Sequence, residues 1–304
     1  MKILVAGGSG FIGKTLVRRL LALNHQVVVL SRQIDAFKNT PSADLKAEWW
    51  DAKTLGGWVS HMEGTDAVVN LTGAGIADKR WTAARKEVLK NSRLDSTRIL
   101  VSSIKRCVQK PKVLVNASAV GYYGAVESGD VTENSPQGKG FLPDLCGAWE
   151  AEAKKAETAG LRVVLVRTGI VLEKEGGALQ KFIPPFQFFM GGPLGSGKQY
   201  FPWVHREDVV GAILYSLENP SMSGPVNVTA PGVLTMKEFC SALGVAMGRP
   251  SWAPVPEFAL KILLGEMAGM LVTGQKAVPK KLLESGYHFR FEKAVDALSQ
   301  ILKK

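Results

Sequence analysis

Val5-Ala6-Gly7-Gly8-Ser9-Gly10-Phe11-Ile12-Gly13 is the stretch whose reading decides the fold. It follows an apolar run at Ile3–Ala6, which reads as a buried strand. It leads into Gly13–Leu23, where apolar residues recur at helical spacing. Gly7, Gly10 and Gly13 therefore form GxxGxxG at a strand–turn–helix junction. The first glycine permits the tight turn, the second lets the backbone approach a ligand, and the third allows close packing of helix on strand. The helix start offers unpaired N–H groups and a partial positive charge, which together suit a pyrophosphate.

The same alternation continues outward. Val27–Leu30, a short piece around Ala47–Trp50, Ala67–Leu71, Val113–Asn116 and Val163–Val166 read as strands. Helical patterns at Thr82–Val108 and Leu142–Ala159 separate the later ones. Continuous apolar strands in β-α-β order predict an α/β fold, a Rossmann-type doubly wound parallel sheet buried on both faces. Beyond Val171 the texture changes, and Gly and Pro crowd Gly176–Pro202. Helices are expected at Glu207–Leu217 and Met236–Met247, with one more strand at Pro225–Val228. The expected division is a dinucleotide-binding domain at 1–175, with elements returning from about 203–230. A smaller, mainly helical region at 176–304 would lie on the substrate side.

The end of the second strand bears on which dinucleotide is held. Sites for NAD place Asp or Glu there, on the ribose 2′-hydroxyl, whereas an arginine accommodates a 2′-phosphate. Here the strand ends Leu30-Ser31-Arg32, and no carboxylate appears before Asp35. The expectation is NADP(H), with Ser31 and Arg32 on its extra phosphate.

Composition narrows the classes. The 304 residues are 46% hydrophobic and 21% charged, as in an ordinary folded chain. The net charge of +11 comes from scattered lysines and arginines rather than a basic helix or stripe. That pattern argues against nucleic acid and for an anionic small ligand. Cys107, Cys146 and Cys240 are far apart, and no Cys/His cluster suggests a metal. Glycines interrupt the apolar N-terminus at once, so it does not read as a signal peptide. Phe258–Val272 is too short to span a bilayer and carries Lys261 and Glu266. It reads as one buried or interfacial helix. A cytoplasmic protein with no membrane partner is expected, of undetermined oligomeric state.

Further motifs support a family. These are Asn70-Leu71-Thr72-Gly73, Ser118-Ala119-Val120-Gly121-Tyr122-Tyr123-Gly124, Arg167-Thr168-Gly169-Ile170-Val171-Leu172, Phe201-Pro202-Trp203-Val204-His205 and Gly274-Gln275-Lys276. With the glycine turn they resemble the extended short-chain dehydrogenase/reductases, in the atypical branch called epimerase family proteins. The resemblance implies that Gly7, Gly10, Phe11, Ile12 and Gly13 hold the pyrophosphate and that Leu71, Thr72 and Gly73 line the adenosine side. It also implies that Arg93, Ala117, Ser118 and Val171 contact the cofactor. On spacing alone, Arg93 reads equally as a helix-face charge paired with Asp95 or Glu87.

The chemistry departs from the family pattern. Typical members use Ser, Tyr and Lys, with Tyr and Lys four apart on one helix and the lysine lowering the tyrosine pKa. Ser118 matches the serine. The helix reads Leu145-Cys146-Gly147-Ala148-Trp149-Glu150, with Cys146 at the Tyr position and Glu150 at the Lys position, and no YxxxK occurs in the chain. Cys146 is either a replacement acid or base or a buried thiol, with Glu150 paired to Lys154. Either Tyr122 or Tyr123 supplies the missing phenol or both pack, while Trp203 and His205 are candidates to face substrate, with His205 reading equally as a hydrogen-bonded core residue. Two functions stay open. One is an oxidoreductase or nucleotide-sugar epimerase acting on a small, carbonyl or sugar substrate that an anionic group would suit. The other is a non-catalytic NADP(H)-binding regulator, for example in cell division.

Overall fold

The computed structural model describes residues 1–40 and 42–303. Seven strands form its central sheet: β1 (Lys2–Ala6), β2 (Gln26–Ser31), β3 (Leu45–Trp49), β4 (Ala67–Asn70), β5 (Val113–Ala119), β6 (Arg162–Thr168) and β7 (Gly224–Val228). Their spatial order is β7-β6-β5-β4-β1-β2-β3, and every pairing is parallel. The order reverses between β1 and β4, where Ala6 stands level with both Leu30 and Asn70. A crevice opens at such a reversal beyond the carboxyl ends of the strands, where these folds bind ligands.

Alternating strand residues feed two apolar layers. Ile3, Val5, Val27 and Val29 pack with Leu16 and Leu20 of α1 (Gly13–Ala22) and with Val209 and Ile213, which lie in the helix Arg206–Glu218. Leu4, Ala6, Val28 and Leu30 pack on the other face, against Leu100 and Ile104 of α2 (Ala83–Arg106) and Ala153 of α3 (Phe141–Lys154). All these side chains are buried, which is why the strands read as unbroken apolar runs.

A third core forms in the chain's second half. There α4 (Leu179–Gln187) buries Leu179, Phe182 and Phe186 at helical spacing. Phe182 packs against Phe239, and Phe239 stacks on Phe201 at 4.1 Å between ring centroids. This aromatic burial sustains a helix through Pro184 and Pro185, in the Gly- and Pro-crowded stretch where no helix was expected. After α5 (Arg206–Glu218), α6 (Met236–Met247) opens on a reciprocal cap between Thr235 and Glu238 and closes on Gly248 at φ +62°.

Phe258–Val272 is not the single helix expected. It divides into α7 (Glu257–Leu264) and a short helix at Gly269–Val272, because Gly265 sits at φ +63° and turns the chain. Phe258, Ile262 and Leu263 are exposed rather than buried. The segment that follows ties the two halves together. Gln275 Nε2 donates to Val120 O at 2.7 Å, and Lys276–Ala277 pairs with Asp130–Val131. The loop that leaves β5 is thus fastened from the C-terminal side.

Candidate active site

The glycine turn lies at the sheet reversal. Gly7 N donates to Leu30 O at 2.9 Å, so the turn is bonded to the end of β2. Gly7 has φ +79°, and a Cβ there would sit 3.0 Å from the carbonyl of Leu71. Only glycine combines that conformation with that approach. At Gly13 a Cβ would come within 2.7 Å of Gly8 backbone atoms, so the helix meets the turn with no room for a side chain.

A cleft of about 480 Å³ opens above this turn, within the size range of small-molecule and cofactor sites. Gly7, Gly10, Ser31, Arg32, Leu71, Thr72 and Gly73 all line it. Ser9 Oγ and Ser31 Oγ lie 2.5 Å apart, and Gln33 N donates to Ser31 Oγ at 2.9 Å. Arg32 is exposed, and the acid closest in sequence, Asp35, pairs with Lys38 at 2.7 Å instead. Behind the cleft, Asn70 bonds Thr97 and Asn116 through its amide and accepts from Thr72 N and Oγ. The Thr72 hydroxyl is spent inward on Asn70 and Ser96, so Thr72 offers the cleft its backbone.

Several wall residues escaped the sequence reading. Trp50, Asp51, Ala52 and Lys53 close the far end, and Asn91 and Ser92 close the α2 side. Asp51 is engaged by the backbone N–H groups of Lys53 and Thr54, both at 2.9 Å. It clamps a turn in which Ala52 takes φ +64°. Lys53 is exposed and adds a second cation to the wall that carries Arg32. A cation following the third strand was the available signal.

The other expected cofactor contacts lie around this cleft rather than in its wall. Phe11 and Ile12 are half-buried, and Phe11 packs against the Gly176–Gly177 turn. Ala117 stands at the carboxyl end of β5, and Val171 is half-buried in the strand Ile170–Glu173. Arg93 lies beneath Gly73, with its guanidinium 5.1 Å from the Trp149 ring and Nη1 on Leu89 O. Asp95 pairs with Arg98, so Arg93 is not the helix-face ion pair that spacing allowed. Burial holds its pKa below the usual arginine range.

The Ser, Cys and Glu positions meet at the end of β5, joined by Tyr123 and by Arg167, to which the sequence reading gave no role. Glu150 is not paired with Lys154. Arg167, on the neighbouring strand β6, grips it with Nε on Oε1 and Nη2 on Oε2, both at 2.8 Å. The two side chains are 3% and 4% exposed. Ser118 Oγ donates to Glu150 Oε1 at 2.6 Å. Arg167 Nη1 donates to the Tyr123 hydroxyl at 2.9 Å, and that hydroxyl donates to Asn227 Oδ1 at 2.6 Å. Burial opposes the charge on Arg167, but the Glu150 bond and Tyr123 outweigh it and hold the group above its ordinary pKa. A lone arginine in the otherwise apolar Val163-Val164-Leu165-Val166-Arg167 was the signal, since a buried charge demands a partner.

These contacts sort the proton-transfer candidates. Burial, reinforced by Glu150, pushes the Cys146 thiol up to about 12, so it is a protonated core group at neutral pH. Burial likewise pushes Tyr123 up to about 12. Tyr122 differs from both. It is half-buried, its ring lies over the Arg167 guanidinium at 3.5 Å, and its hydroxyl has no hydrogen bond among the described residues.

Trp203 and His205 are both buried and hydrogen-bonded within the core. Trp203 is fully buried, and its indole N–H donates to Gly232 O at 2.9 Å. His205 is 1% exposed, accepts from Glu207 N to cap α5, and bonds Gln300 through Nε2 at 3.0 Å. Both are core residues that fasten the strand Trp203–His205 to its neighbours.

Comparison with known proteins agrees with this geometry. Residues 3–229 match the NAD dependent epimerase/dehydratase family. The chain belongs to that family. Residues 255–301 match a second family, a domain of unknown function known as DUF1731. Among epimerase family proteins, the Arabidopsis thaliana "SDR39U1 homolog, chloroplastic" is 44% identical over all of this chain and 87% of its own length. Bacillus subtilis YfhF is 38% identical over 99% of this chain and 98% of its own. The crystal structure of human SDR39U1 with NADPH superposes with a TM-score of 0.87 at 34% identity, covering 99% of both chains. A UDP-glucuronic acid 4-epimerase from Bacillus cereus shares the fold at TM-score 0.80 and 17% identity.

Proposed function

We propose that the protein binds NADP(H) in the cleft and acts as an oxidoreductase or nucleotide-sugar epimerase on a small carbonyl or sugar substrate. The observation that carries the cofactor choice is the wall formed by Ser31, Arg32 and Lys53. It sets two exposed cations and a buried hydroxyl beside the end of β2, with no carboxylate on that strand's end. The human relative crystallised with NADPH supports the same choice. The family residues fit the dinucleotide: Gly7 and Gly10 give its pyrophosphate bare backbone, and the start of α1 supplies free N–H groups.

When bound, the nicotinamide supplies or accepts a hydride. The protein's task is then to orient the substrate and move one proton. The Ser118 hydrogen is committed to a carboxylate held by Arg167, so Ser118 presents lone pairs. It accepts a hydrogen bond from a substrate hydroxyl rather than donating one to a carbonyl. Tyr122 then carries the proton, since its hydroxyl is uncommitted and Cys146 is silenced by burial. The net positive charge of the chain suits an anionic substrate.

A second reading, a non-catalytic NADP(H)-binding regulator, draws on an observation of its own: an inert thiol and an ion-paired carboxylate replace the family's Tyr and Lys. One experiment separates them. Purified protein is incubated with NADPH and a panel of carbonyl compounds, and absorbance is followed. With NADP⁺, nucleotide sugars are scored for epimerised product. Turnover that falls at least about tenfold in Tyr122→Phe supports the enzyme. Silence across the panel, with tight NADPH binding intact, supports the regulator.

A further inference from the structure

We propose that the protein docks through the turn after α4 onto a bilayer surface bearing anionic headgroups. None of the described helices is long and apolar enough to cross a membrane, so the contact is peripheral. The turn is built to display apolar side chains. Phe188, Phe189 and Met190 are 77%, 53% and 61% exposed, and Trp252, bonded alongside, is 65% exposed. Isolated exposed apolar residues are ordinary, but four on one bonded corner make a patch of the kind that marks an interaction surface.

The corner is rigid. Phe188 N donates to Pro184 O, Met190 N donates to Pro185 O, and Trp252 N donates to Gly191 O. The Trp252 indole N–H donates to Phe189 O at 2.9 Å. Phe189 holds φ +61°, a left-handed conformation that an aromatic residue adopts only when its surroundings impose it. Strain of this kind persists mainly at sites of function. Phe, Trp and Met also suit the headgroup boundary, where large apolar side chains enter the acyl region.

Charge selects the occupant. The stretches 179–193 and 239–256, which carry these residues, contain no Asp or Glu; their charges are Lys181 and Arg249, both exposed. Arg249 is exposed and stacks over the Phe189 ring at 4.4 Å. An apolar tip flanked by exposed cations complements an anionic interface. A second copy of the chain, itself carrying +11, brings like charge to the same corner.

The test is co-sedimentation of the intact protein with phosphatidylcholine vesicles, with and without phosphatidylglycerol, at low and high salt. The expected result is binding only to the anionic vesicles, weakened by salt. Phe188→Ser/Phe189→Ser is expected to lower partitioning more than about tenfold. Lys181→Ala/Arg249→Ala is expected to do the same on anionic vesicles only. Both variants should keep NADPH affinity and melting temperature, since neither pair touches the cleft. No vesicle binding by the wild type, equal binding to neutral vesicles, or unchanged binding by the Phe188/Phe189 variant each overturns the proposal. So does concentration-dependent dimerisation in sedimentation velocity that the Phe188/Phe189 variant abolishes, because the corner then faces a second copy.

Discussion

Replacing Arg167 by methionine leaves Glu150 buried with no counter-charge. The pair is bidentate, with both contacts at 2.8 Å, and almost wholly excluded from water. Breaking such a pair from one side costs about 3–5 kcal/mol, because the surviving charge stays desolvated. Loss of the bond to the Tyr123 hydroxyl adds to that figure within its range. For a chain of this length the melting temperature should fall by about 5–8 °C. Glu150→Met/Arg167→Met removes both charges and leaves only neutral groups short of partners, chiefly the hydroxyls of Ser118 and Tyr123. Such losses cost about 1–3 kcal/mol, so the double variant should be more stable than Arg167→Met. A double-mutant cycle by urea denaturation reads the coupling directly. The reasoning fails if Arg167→Met costs under about 1 kcal/mol, or if the double variant is as unstable as the two singles added.

Three further outcomes are expected. Cys146, held at about 12 by burial, should resist iodoacetamide in the native protein and react only on unfolding; peptide mapping that finds it alkylated first would contradict that. Burial holds the His205 pKa below its unfolded value of 6.5, so the unfolded state takes up the proton first. The stability contributed by neutral His205 is therefore present above that value and drains as pH falls below it. Melting temperature should drop on acidification from about pH 7.5 to 6, and His205→Gln should flatten that slope; an unchanged slope rules out His205 as its source. Gly7→Ala, forced into φ +79° with its Cβ against Leu71, should lose cofactor affinity at least about tenfold. Full affinity in that variant would show that the turn does not bear on the ligand.

The fold was legible where strands are buried on both faces. Ile3–Ala6, Val27–Leu30 and Ala67–Val69 are continuous apolar runs for that reason, and GxxGxxG marked the first turn. Helix α4 was hidden because Pro184 and Pro185 argue against it locally, and only distant contacts with Phe201 and Phe239 repay the lost backbone bonds. Phe258–Val272 misled as to a single helix because Gly265 divides it, and of the two surroundings expected its exposed Phe258, Ile262 and Leu263 fit the interfacial one rather than the buried one. The cleft was readable at Ser31 and Arg32, which follow a recognisable strand, but not at Lys53, which folding brings across from the third strand. The Ser118–Glu150–Arg167 cluster was least legible. Glu150 and Arg167 lie on different elements 17 residues apart, and no local period links them. Trp203 and His205 looked functional because rare side chains cluster there, yet each is consumed by core hydrogen bonds.

Titration calorimetry of NADPH and NADH into the wild type and Arg32→Ala tests the cofactor assignment most directly. A charge-assisted bond to the 2′-phosphate is worth about 1.5–3 kcal/mol. The wild type should therefore prefer NADPH by roughly ten- to a hundredfold, and Arg32→Ala should erase that preference while leaving NADH affinity unchanged. Equal losses for both cofactors in the variant, or no heat with either in the wild type, would contradict the account.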